Sequence, residues 1–551
     1  MPTDPISELR SAVGAAITAV GGDLGGEEPS LERPPDADLG HYSTNAAMRL
    51  ASQLREAPRS IAERLGAELE TGLGTVERVE VAGPGFLNLF FADAWHREAV
   101  VRILAAERFG AREPSSPNVL LEFVSANPTG PLTAAGGRGA AYGDSLARVL
   151  DAAGHEVARE YYLNDGGTQI RNFAASIAAR MRGEEPPEDG YSGEYVSELA
   201  DELAAAGANA DDLDDLARRG AEAMRLRIEA TLERFGVHYD IWSSERDLLE
   251  RGALEAALAA LGDAGHTYRT EGALWLRTSD FGDDKDRVLV RSDGEPTYFA
   301  FDIAYHRDKL ERGAGLMIDP LGADHHGYVP RMKAAIAALG ADPDRYEAPI
   351  MQLVNFVEGG ERARMSKRKG EFVTLDELLD DIGRDAARFF LMQRSHDTAL
   401  DLDLDLARSQ SQENPVYYVQ YAHARIASIL RKAEAEGGVA GEPAIIAGAG
   451  DEVTLATASE PAERELVRRL LELPDEVSLA AEKRAPHRLT AYAMAVAADF
   501  HAFYRDCRVV GADAESGIKG LEAARLGVCL ATKRVIAGTL DLLGISAPES
   551  M

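Results

Sequence analysis

Two segments of the chain combine residue types that suit the binding of a phosphate group. The first is the loop from Glu122 to Pro131, which follows a short apolar run and leads into the Gly-rich segment 134–139. Backbone N–H groups at such a helix start favour an anion, and Asn127 and Thr129 add side-chain hydrogen-bonding groups. The same composition is typical of an ordinary turn between a strand and a helix. The loop by itself leaves both interpretations open.

The second segment, 361–372, is rich in positive charge. It contains five cations within eight residues, which are Arg362, Arg364, Lys367, Arg368 and Lys369. A cationic loop of this kind can neutralise the negative charge that develops on a phosphoryl group during its transfer. A solvated charged loop is the alternative, although Met365 and Ser366 between the cations favour the functional interpretation.

A third group of polar side chains lies between these two segments. Tyr298, Asp302 and Tyr305 are four and three residues apart, so a helix would place them on one face. Further along, Asp324 is followed by two histidines, but this spacing is not typical of a metal site. The pattern therefore predicts the lining of a polar pocket rather than a metal centre.

Strand and helix patterns place these segments in an α/β unit. Val119–Val124 and Val157–Leu163 are strand-like, and a helical segment from about Ala134 to Ala153 lies between them. This order predicts a βαβ unit and hence a parallel sheet. Residues 182–265 have helical periodicity and predict an inserted helical module. Further strand-like runs, which would continue the interrupted core, are Ala273–Arg277, Val288–Val290 and Ile350–Val354.

The two ends of the chain differ from this central unit. The beginning predicts a small α+β domain, with Leu9 and Val13 on one helical face and strands at Val79–Val81 and Phe86–Phe91. The end predicts an all-α bundle with a Gly/Ala-rich linker at 435–450. Its four amphipathic helices are predicted at Tyr417–Arg431, Arg464–Leu473, Pro486–Arg505 and Ile518–Leu543. The three predicted domains are 1–112, 113–405 and 406–551.

Composition limits the partners that the chain can have. Its 551 residues include 59 Lys and Arg against 92 Asp and Glu, and a net charge of −33 argues against a general polyanion-binding surface. However, residues 481–551 hold nine Lys and Arg against eight Asp and Glu, which favours a local RNA-binding face. The aromatic residues that could stack there on bases, or form the bundle core instead, are Tyr492, Phe500, Phe503 and Tyr504.

The same counts bear on the cellular compartment. The two cysteines, Cys507 and Cys529, form no CxxC motif, so neither a zinc site nor a disulfide framework is expected. The first residues lack the layout of a secretory signal, and no apolar run is long enough to cross a membrane. We therefore expect a cytoplasmic protein without membrane contact.

Several collinear blocks of the sequence resemble arginyl-tRNA synthetases, from about residue 39 to the end. Near the start they are GHYSTNAAMRLA and VAGPGFLNL. In the middle they are ANPTGPL, EYYLNDGGTQI, TYFAFDIAYH, GADHHGYVPRMKAA, ARMSKRKGEFVTLDELL and NPVYYVQYAHARI, and at the end HRLTAYAMAVAADFHAFYRDCRVVG and LDLLGISAPESM. The resemblance implies a class I aminoacyl-tRNA synthetase with a Rossmann catalytic domain, an anticodon-binding bundle and an N-terminal domain that contacts the tRNA body. It implies a monomer that uses ATP with Mg2+, forms arginyl-adenylate and transfers arginine to the 3′-terminal adenosine of tRNA(Arg).

The resemblance also implies three sets of site residues, with no metal ligand among them. The residues implied to bind arginine are Glu122, Asn127, Tyr298, Asp302, Asp324 and His326. Those implied to bind ATP are Thr129, Gly130, Thr133, Gly136, Gly137, Met365 and Ser366. Those implied to be catalytic are Lys367, Arg364 and Arg368. The chemistry agrees, because a guanidinium is a planar fork of donors that suits carboxylates such as Glu122 and Asp302.

One block departs from the family pattern. Where the family usually has His-x-Gly-His, this chain has Thr133-Ala134-Ala135-Gly136. A working variant could use Thr133, the backbone amides of Gly136 and Gly137, and the cationic segment; a slow enzyme is a second interpretation. A degenerate paralogue that binds tRNA or arginine without charging is a third. Retention of Lys367 and of the arginine-binding residues favours the first, and the paired carboxylates disfavour a synthetase for another amino acid.

Overall fold

The computed structural model describes residues 4–34, 37–114, 117–325, 327–362, 373–436 and 441–551. Its N-terminal region is an antiparallel sheet in the order β1-β3-β2, packed against helices. The elements are α1 (Pro5–Ala19), β1 (Tyr42–Thr44), α2 (Ala46–Leu54), α3 (Pro58–Gly72), β2 (Val76–Ala82), β3 (Phe86–Phe91) and α4 (Asp93–Ala105). The apolar face of α1 is buried, and both strands predicted here are present.

The middle of the chain is built around a parallel sheet in the order β12-β10-β4-β5-β6. Its elements up to α10 are β4 (Val119–Glu122), α5 (Gly137–Ala152), β5 (Val157–Leu163), α6 (Gly167–Met181), α7 (Glu194–Ala205), α8 (Leu213–Arg234), β6 (Ile241–Ser244), α9 (Glu245–Glu250) and α10 (Ala253–Asp263). The elements that follow, up to α12, are β7 (Thr267–Thr270), β8 (Ala273–Leu276), β9 (Arg287–Val290), α11 (Tyr298–Glu311), β10 (Leu316–Ile318), β11 (Leu321–Gly322) and α12 (Tyr328–Ala338). The last are β12 (Tyr346–Glu347), β13 (Ile350–Met351), β14 (Val354–Glu358), β15 (Glu361–Arg362), α13 (Leu375–Ile382), α14 (Arg384–Leu391), β16 (Leu400–Asp403) and α15 (Leu404–Arg408).

The central strand β4 determines where the polar residues of the next loop lie. Its first three residues are buried, as expected for a strand covered on both faces. Parallel strands open onto a crevice at their carboxyl ends, and β4 ends there with Glu122. The predicted βαβ unit is therefore confirmed as β4, α5 and β5.

Three expectations about the middle of the chain are corrected by the structure. The range 182–265 is not purely helical, because it contains β6, which pairs with β5 in the parallel sheet. The predicted strands at 273–277 and 288–290 do not continue that sheet, since β8 and β9 form a separate antiparallel sheet with β7. The predicted strand at 350–354 is two strands, β13 and β14, in two other small sheets.

The C-terminal region is helical, and its four long predicted helices are present. The elements are α16 (Pro415–Ala435), α17 (Gly441–Ala449), α18 (Glu452–Leu455), α19 (Pro461–Leu470), α20 (Leu473–Glu482), α21 (Arg488–Asp506), α22 (Ala512–Ser516) and α23 (Leu521–Leu542). The stretch predicted as a linker contains α17, which packs on α23 because small residues meet there: a Cβ on Gly527 would lie 2.8 Å from that of Ala449. Every helix within the described residues is too short or too polar to cross a membrane.

Arg388, in α14, joins the parallel-sheet region to the C-terminal helices. Its guanidinium is buried, pairs with Asp144 of α5 at 2.6 Å and donates to the backbone oxygens of Leu543 at 2.7 Å and Phe235 at 3.2 Å. Gly544 lies beside it with a φ of 66°, and a Cβ there would overlap the guanidinium. One buried cation thus fixes the relative positions of α5, the end of α8 and the end of the chain.

The charge of Asp144 depends on the arginines around it. Burial raises the pKa of Asp144, but Arg388, Arg148 and Arg159 outweigh burial and hold that pKa below its ordinary value. The ion pair therefore contributes stability above the ordinary pKa of an aspartate, and this contribution is lost as the pH falls through the lowered pKa.

We expect Asp144→Asn to destabilise the junction by about 3–5 kcal/mol at pH 7, because the buried Arg388 loses its counter-charge. Native-state hydrogen exchange of the α5 and α14 amides measures this loss, and the difference from wild type should shrink below about pH 4. Asp541→Asn is the control, since Asp541 also pairs with Arg148 but is 70 % exposed. Equal effects of the two variants would contradict the role given to the buried pair.

Candidate active site

The loop that follows β4 has a strained backbone at the carboxyl edge of the sheet. Val124 and Ser125 have φ angles of 69° and 43°, a left-handed conformation that is costly for a β-branched residue such as valine. The neighbouring strand β5 holds the loop, because the Tyr161 hydroxyl donates to the Ala126 carbonyl and accepts from the Ala126 N–H, each at 3.0 Å. Strain maintained by surrounding contacts is typical of functional loops.

Glu122 lies in a network of buried charged groups. One of its oxygens accepts from the Ser125 hydroxyl at 2.8 Å, and the other pairs with Lys309 of α11 at 2.5 Å. Lys309 also donates to Asp319, the residue after β10, at 2.9 Å. The second oxygen of Asp319 lies 2.9 Å from His306 Nε2. β4, β10 and α11 thus each contribute a charged group to one cluster at the carboxyl edge of the sheet.

Asp302 adds a further carboxylate to this cluster. Its side chain accepts a hydrogen bond from the Tyr328 hydroxyl, and its backbone oxygen lies 2.8 Å from His306 Nδ1. Burial raises the pKa of Asp302 to about 7; His306 opposes the rise, whereas Glu122 and Glu245 add to it. Asp302 therefore changes its charge near neutral pH, and a bound cation would favour its ionised form.

Tyr298 and Asp324, which are also implied to bind arginine, have a less enclosed setting. Tyr298, the first residue of α11, is 70 % exposed. Asp324 is exposed and lies 3.5 Å from His325, whose ring meets that of Tyr328 edge-on at 6.3 Å. His326 lies outside the described residues. The structure therefore brings Glu122 and Asp302 together. Asp324 is linked to them indirectly, because its neighbour His325 contacts Tyr328, which donates to Asp302.

Helices α6 and α7 contact the loop that follows β4. Asn127, which the resemblance assigns to arginine, donates from its side-chain amide to Gln169 of α6. Thr129 is buried, and its carbonyl accepts from the Tyr195 hydroxyl of α7 at 2.8 Å. A Cβ on Gly130 would lie 3.2 Å from that same hydroxyl, so a small residue suits this position.

Thr133, Gly136 and Gly137 form the turn that starts α5. The Thr133 hydroxyl accepts from the Gly136 N–H at 3.1 Å, and the Gly137 N–H bonds to the carbonyls of Thr133 and Ala134. Gly137 is also buried, with Leu375 2.9 Å from where its Cβ would lie. In this structure both N–H groups therefore donate inside the turn.

Besides His326, five implied site residues lie outside the described residues, and they are Arg364, Met365, Ser366, Lys367 and Arg368. The residues that follow this segment are described. The Val373 carbonyl accepts from the Ala134 N–H at 2.9 Å, and the Leu375 N–H donates to the Leu132 carbonyl at 2.8 Å. The residues that directly follow the cationic segment are thus attached to the turn that stands where the family has His-x-Gly-His.

Several members of the cluster belong to no motif identified in the sequence. Lys309 and Asp319 are the clearest examples, because neither lies in one of the blocks that resemble the family. Asp302, His306 and Lys309 are four and three residues apart, so the helical spacing noted for Tyr298, Asp302 and Tyr305 continues to the buried lysine. Extending that helical face would have identified Lys309.

The aromatic residues near the end of the chain have two different settings. Tyr492, Phe500 and Phe503 are buried in the bundle core, whereas Tyr504 is 38 % exposed. The prediction that these residues form the bundle core is therefore confirmed for the first three, and of the four only Tyr504 presents its ring to solvent.

Tyr504 belongs to an aromatic surface on α16 and α21, which we define as Tyr417, Tyr421, Arg425 and Tyr504. Tyr417 and Tyr421 stack at 6.2 Å, and the Arg425 guanidinium lies over the Tyr504 ring at 4.6 Å and over Tyr421 at 5.6 Å. Rings and a cation arranged in this way can stack on unpaired bases and attract phosphates.

Comparison with known proteins finds family models along most of the chain. Residues 7–91 match the arginyl tRNA synthetase N terminal domain, residues 195–426 the catalytic domain of class I (R) tRNA synthetases, and residues 419–551 the DALR anticodon binding domain.

Similar proteins span the full length. An arginine–tRNA ligase of Frankia alni is 47% identical over 100% of both chains, and one of Shouchella clausii is 45% identical over 99% of this chain and 98% of its own. The solved structure of Thermus thermophilus arginyl-tRNA synthetase has a TM-score of 0.77 at 26% identity, covering 99% of this chain and 100% of its own. With the α/β sheet and helical bundle described above, this similarity shows that the chain belongs to the arginyl-tRNA synthetase family.

Proposed function

We propose that the chain charges tRNA(Arg) with arginine, using ATP as a substrate. The observation that carries this proposal is the pair of carboxylates, Glu122 and Asp302, in one cluster at the carboxyl edge of the parallel sheet. Two carboxylates suit the guanidinium of arginine, which presents five donors in a rigid fork. Relatives that are 45–47% identical over nearly the whole chain are named arginine–tRNA ligases, so a non-charging paralogue finds no support.

The reaction then has two steps. An oxygen of the arginine carboxylate attacks the α-phosphate of ATP, the bond to the β-phosphate breaks, and pyrophosphate leaves with its electron pair. The 2′- or 3′-hydroxyl of the terminal adenosine next attacks the carbonyl of arginyl-adenylate, loses its proton and releases AMP. Neither step needs a covalent protein nucleophile, so the protein acts by positioning its substrates and stabilising charge.

We assign the stabilisation of phosphate charge to Arg364, Lys367 and Arg368. Family resemblance supports the assignment, and so does the attachment of residues 373–375 to the turn at 132–134, where the ATP loop enters α5. The N–H groups of Gly136 and Gly137 are engaged in that turn, so the cationic segment is the better source of positive charge.

Magnesium enters this proposal together with ATP. The described residues include no group of three or more His, Cys, Asp or Glu side chains arranged to hold a metal ion. Mg2+ keeps several waters and commonly binds through substrate phosphates, so we assign it to the ATP complex.

We propose three domains. Residues 1–112 contact the tRNA body, residues 113–405 form the class I catalytic domain, and residues 406–551 bind the anticodon. The family models and the aromatic surface on α16 and α21 support this division. The protein is proposed to act as a monomer in the cytoplasm, where charged tRNA is used.

The direct test is aminoacylation of tRNA by the purified protein with each of the twenty amino acids. Arginine alone should be attached, and pyrophosphate should be released only when arginine is present. Absence of arginine-dependent charging would refute the proposed function.

Asp302→Asn should raise the arginine KM by about 10- to 100-fold, because a charge-assisted hydrogen bond contributes about 1.5–3 kcal/mol. Since Asp302 has a pKa of about 7, the wild-type arginine KM should fall as the pH rises through 7, and the variant should lose this dependence. Steady-state aminoacylation between pH 6 and pH 8.5 measures both effects. Asp308→Asn, on the same helix but paired with Arg312, is the control, and an unchanged KM in Asp302→Asn would refute the assignment.

Lys367→Ala should slow arginyl-adenylate formation by at least ~100-fold, the usual cost of one transition-state donor. The arginine KM should change little, because this contact forms in the transition state rather than with bound arginine. Single-turnover formation of the adenylate, with tRNA present, measures the rate. Arg362→Ala is the control, since Arg362 is exposed at the end of β15; equal losses in both variants would argue for general charge rather than a specific lysine.

Tyr504→Ala should weaken tRNA binding by about 5- to 150-fold, because stacking on one base contributes about 1–3 kcal/mol. Tyr504→Phe keeps the ring under Arg425 and should bind tRNA as wild type does. Fluorescence titration with unmodified tRNA(Arg) measures the Kd of each variant. Wild-type tRNA affinity in Tyr504→Ala would show that the aromatic surface does not bind tRNA.

A further inference from the structure

Lys309 is a fully buried cation close to the proposed arginine site. Its side chain is 0 % exposed, and its ammonium contacts Glu122 at 2.5 Å, Asp319 at 2.9 Å and the face of Tyr305 at 4.5 Å. A buried ion pair is often no more stabilising than apolar residues of similar size. Fold stability alone therefore does not explain a buried lysine beside the proposed site for the arginine guanidinium.

The contacts of Glu122 leave it able to accept further hydrogen bonds. Each carboxylate oxygen has two lone pairs, so the carboxylate accepts about four bonds. Lys309 uses one oxygen, and the Ser125 hydroxyl uses the other. Both oxygens thus keep acceptor capacity for a guanidinium, while the two contacts prevent the carboxylate from rotating.

The same lysine is linked to the second arginine-binding carboxylate. Asp319 accepts from Lys309 through one oxygen and contacts His306 Nε2 through the other at 2.9 Å. The second ring nitrogen of His306 lies 2.8 Å from the backbone oxygen of Asp302. A continuous chain of contacts therefore connects Glu122 to the helical turn that carries Asp302.

We propose that Lys309 is a positioning residue for arginine recognition, an inference that rests on the proposed function. It holds the Glu122 carboxylate in one orientation before arginine arrives, and through Asp319 and His306 it fixes the turn that presents Asp302. A carboxylate that is already oriented loses less freedom on binding, so the contribution appears in arginine affinity rather than in the chemical step.

Arg312 offers a matched control for a merely structural role. It follows α11, three residues after Lys309, and donates to both oxygens of the buried Glu160 at 2.9 and 3.0 Å. Replacing Arg312 also removes a cation next to a buried carboxylate, but Arg312 pairs with Glu160 and Asp308 rather than with Glu122.

The test compares Lys309→Gln, Lys309→Arg and Arg312→Gln in full-length protein, using arginine and ATP KM values, kcat and thermal midpoints. We expect Lys309→Gln to raise the arginine KM by about 10- to 100-fold, as expected when a supporting contact to a binding group is lost. The ATP KM and the kcat at saturating arginine should stay within about threefold of wild type, since Lys309 touches neither the nucleotide nor the reacting atoms. Lys309→Arg keeps the charge and should recover part of the affinity.

If Lys309→Gln does not fold, the double variant Lys309→Gln with Asp319→Asn replaces it, because one positive and one negative charge are removed together. An arginine KM within threefold of wild type, or an equal rise in Arg312→Gln, would overturn the proposal. Wild-type protein that does not charge arginine would instead refute the proposed function, so the two failures are distinguishable.

Discussion

The buried ion pair between Arg388 and Asp144 joins the parallel-sheet region to the C-terminal helices, and the arrangement of these two regions depends on it. A buried guanidinium must have its donors paired, and its partners come from the middle of α5, from the end of α8 and from the last turn of the chain. Because α5 begins at the turn 133–136, the same cation fixes the distance between that turn and the C-terminal helices. Pairing this one buried charge therefore helps to set the position of the turn at 133–136 relative to the C-terminal helices.

The proposed arginine site follows the same rule on a smaller scale. Lys309 is surrounded by carboxylates from β4 and from the residue after β10, just as Arg388 is held by groups from distant parts of the chain. In both places a buried cation pairs with groups from elements that are far apart in the chain. The difference lies at Glu122, which keeps free acceptor capacity and lies at the open edge of the sheet. The proposed site for a cationic substrate lies where one carboxylate of the network can still accept hydrogen bonds.

Sequence patterns predicted the long elements and the groups that belong to motifs. The βαβ unit, the four long bundle helices and the carboxylates at 122 and 302 were found because periodicity or family resemblance marks them. Strands β10 and β12 are three and two residues long and therefore too short to show alternation. Arg388 is not predicted because its partners lie far away in the chain, where no local pattern records them. Lys309 lies on the same helical face as Asp302, but its pairing with Glu122 and Asp319 is visible only in the structure.

The loss of His-x-Gly-His changes which groups can stabilise phosphate charge. Thr133 and the N–H groups of Gly136 and Gly137 satisfy one another within the turn, so the small residues there build the start of α5 instead of replacing two imidazoles. Residues 373–375 pair with this turn, and they immediately follow a segment that contains five cations within eight residues. The turn that carries the substitution is therefore in contact with the residues that directly follow the cationic segment in the chain. On this basis we propose that the cationic segment supplies the positive charge that the turn lacks, so that the family's chemistry persists without its usual histidines.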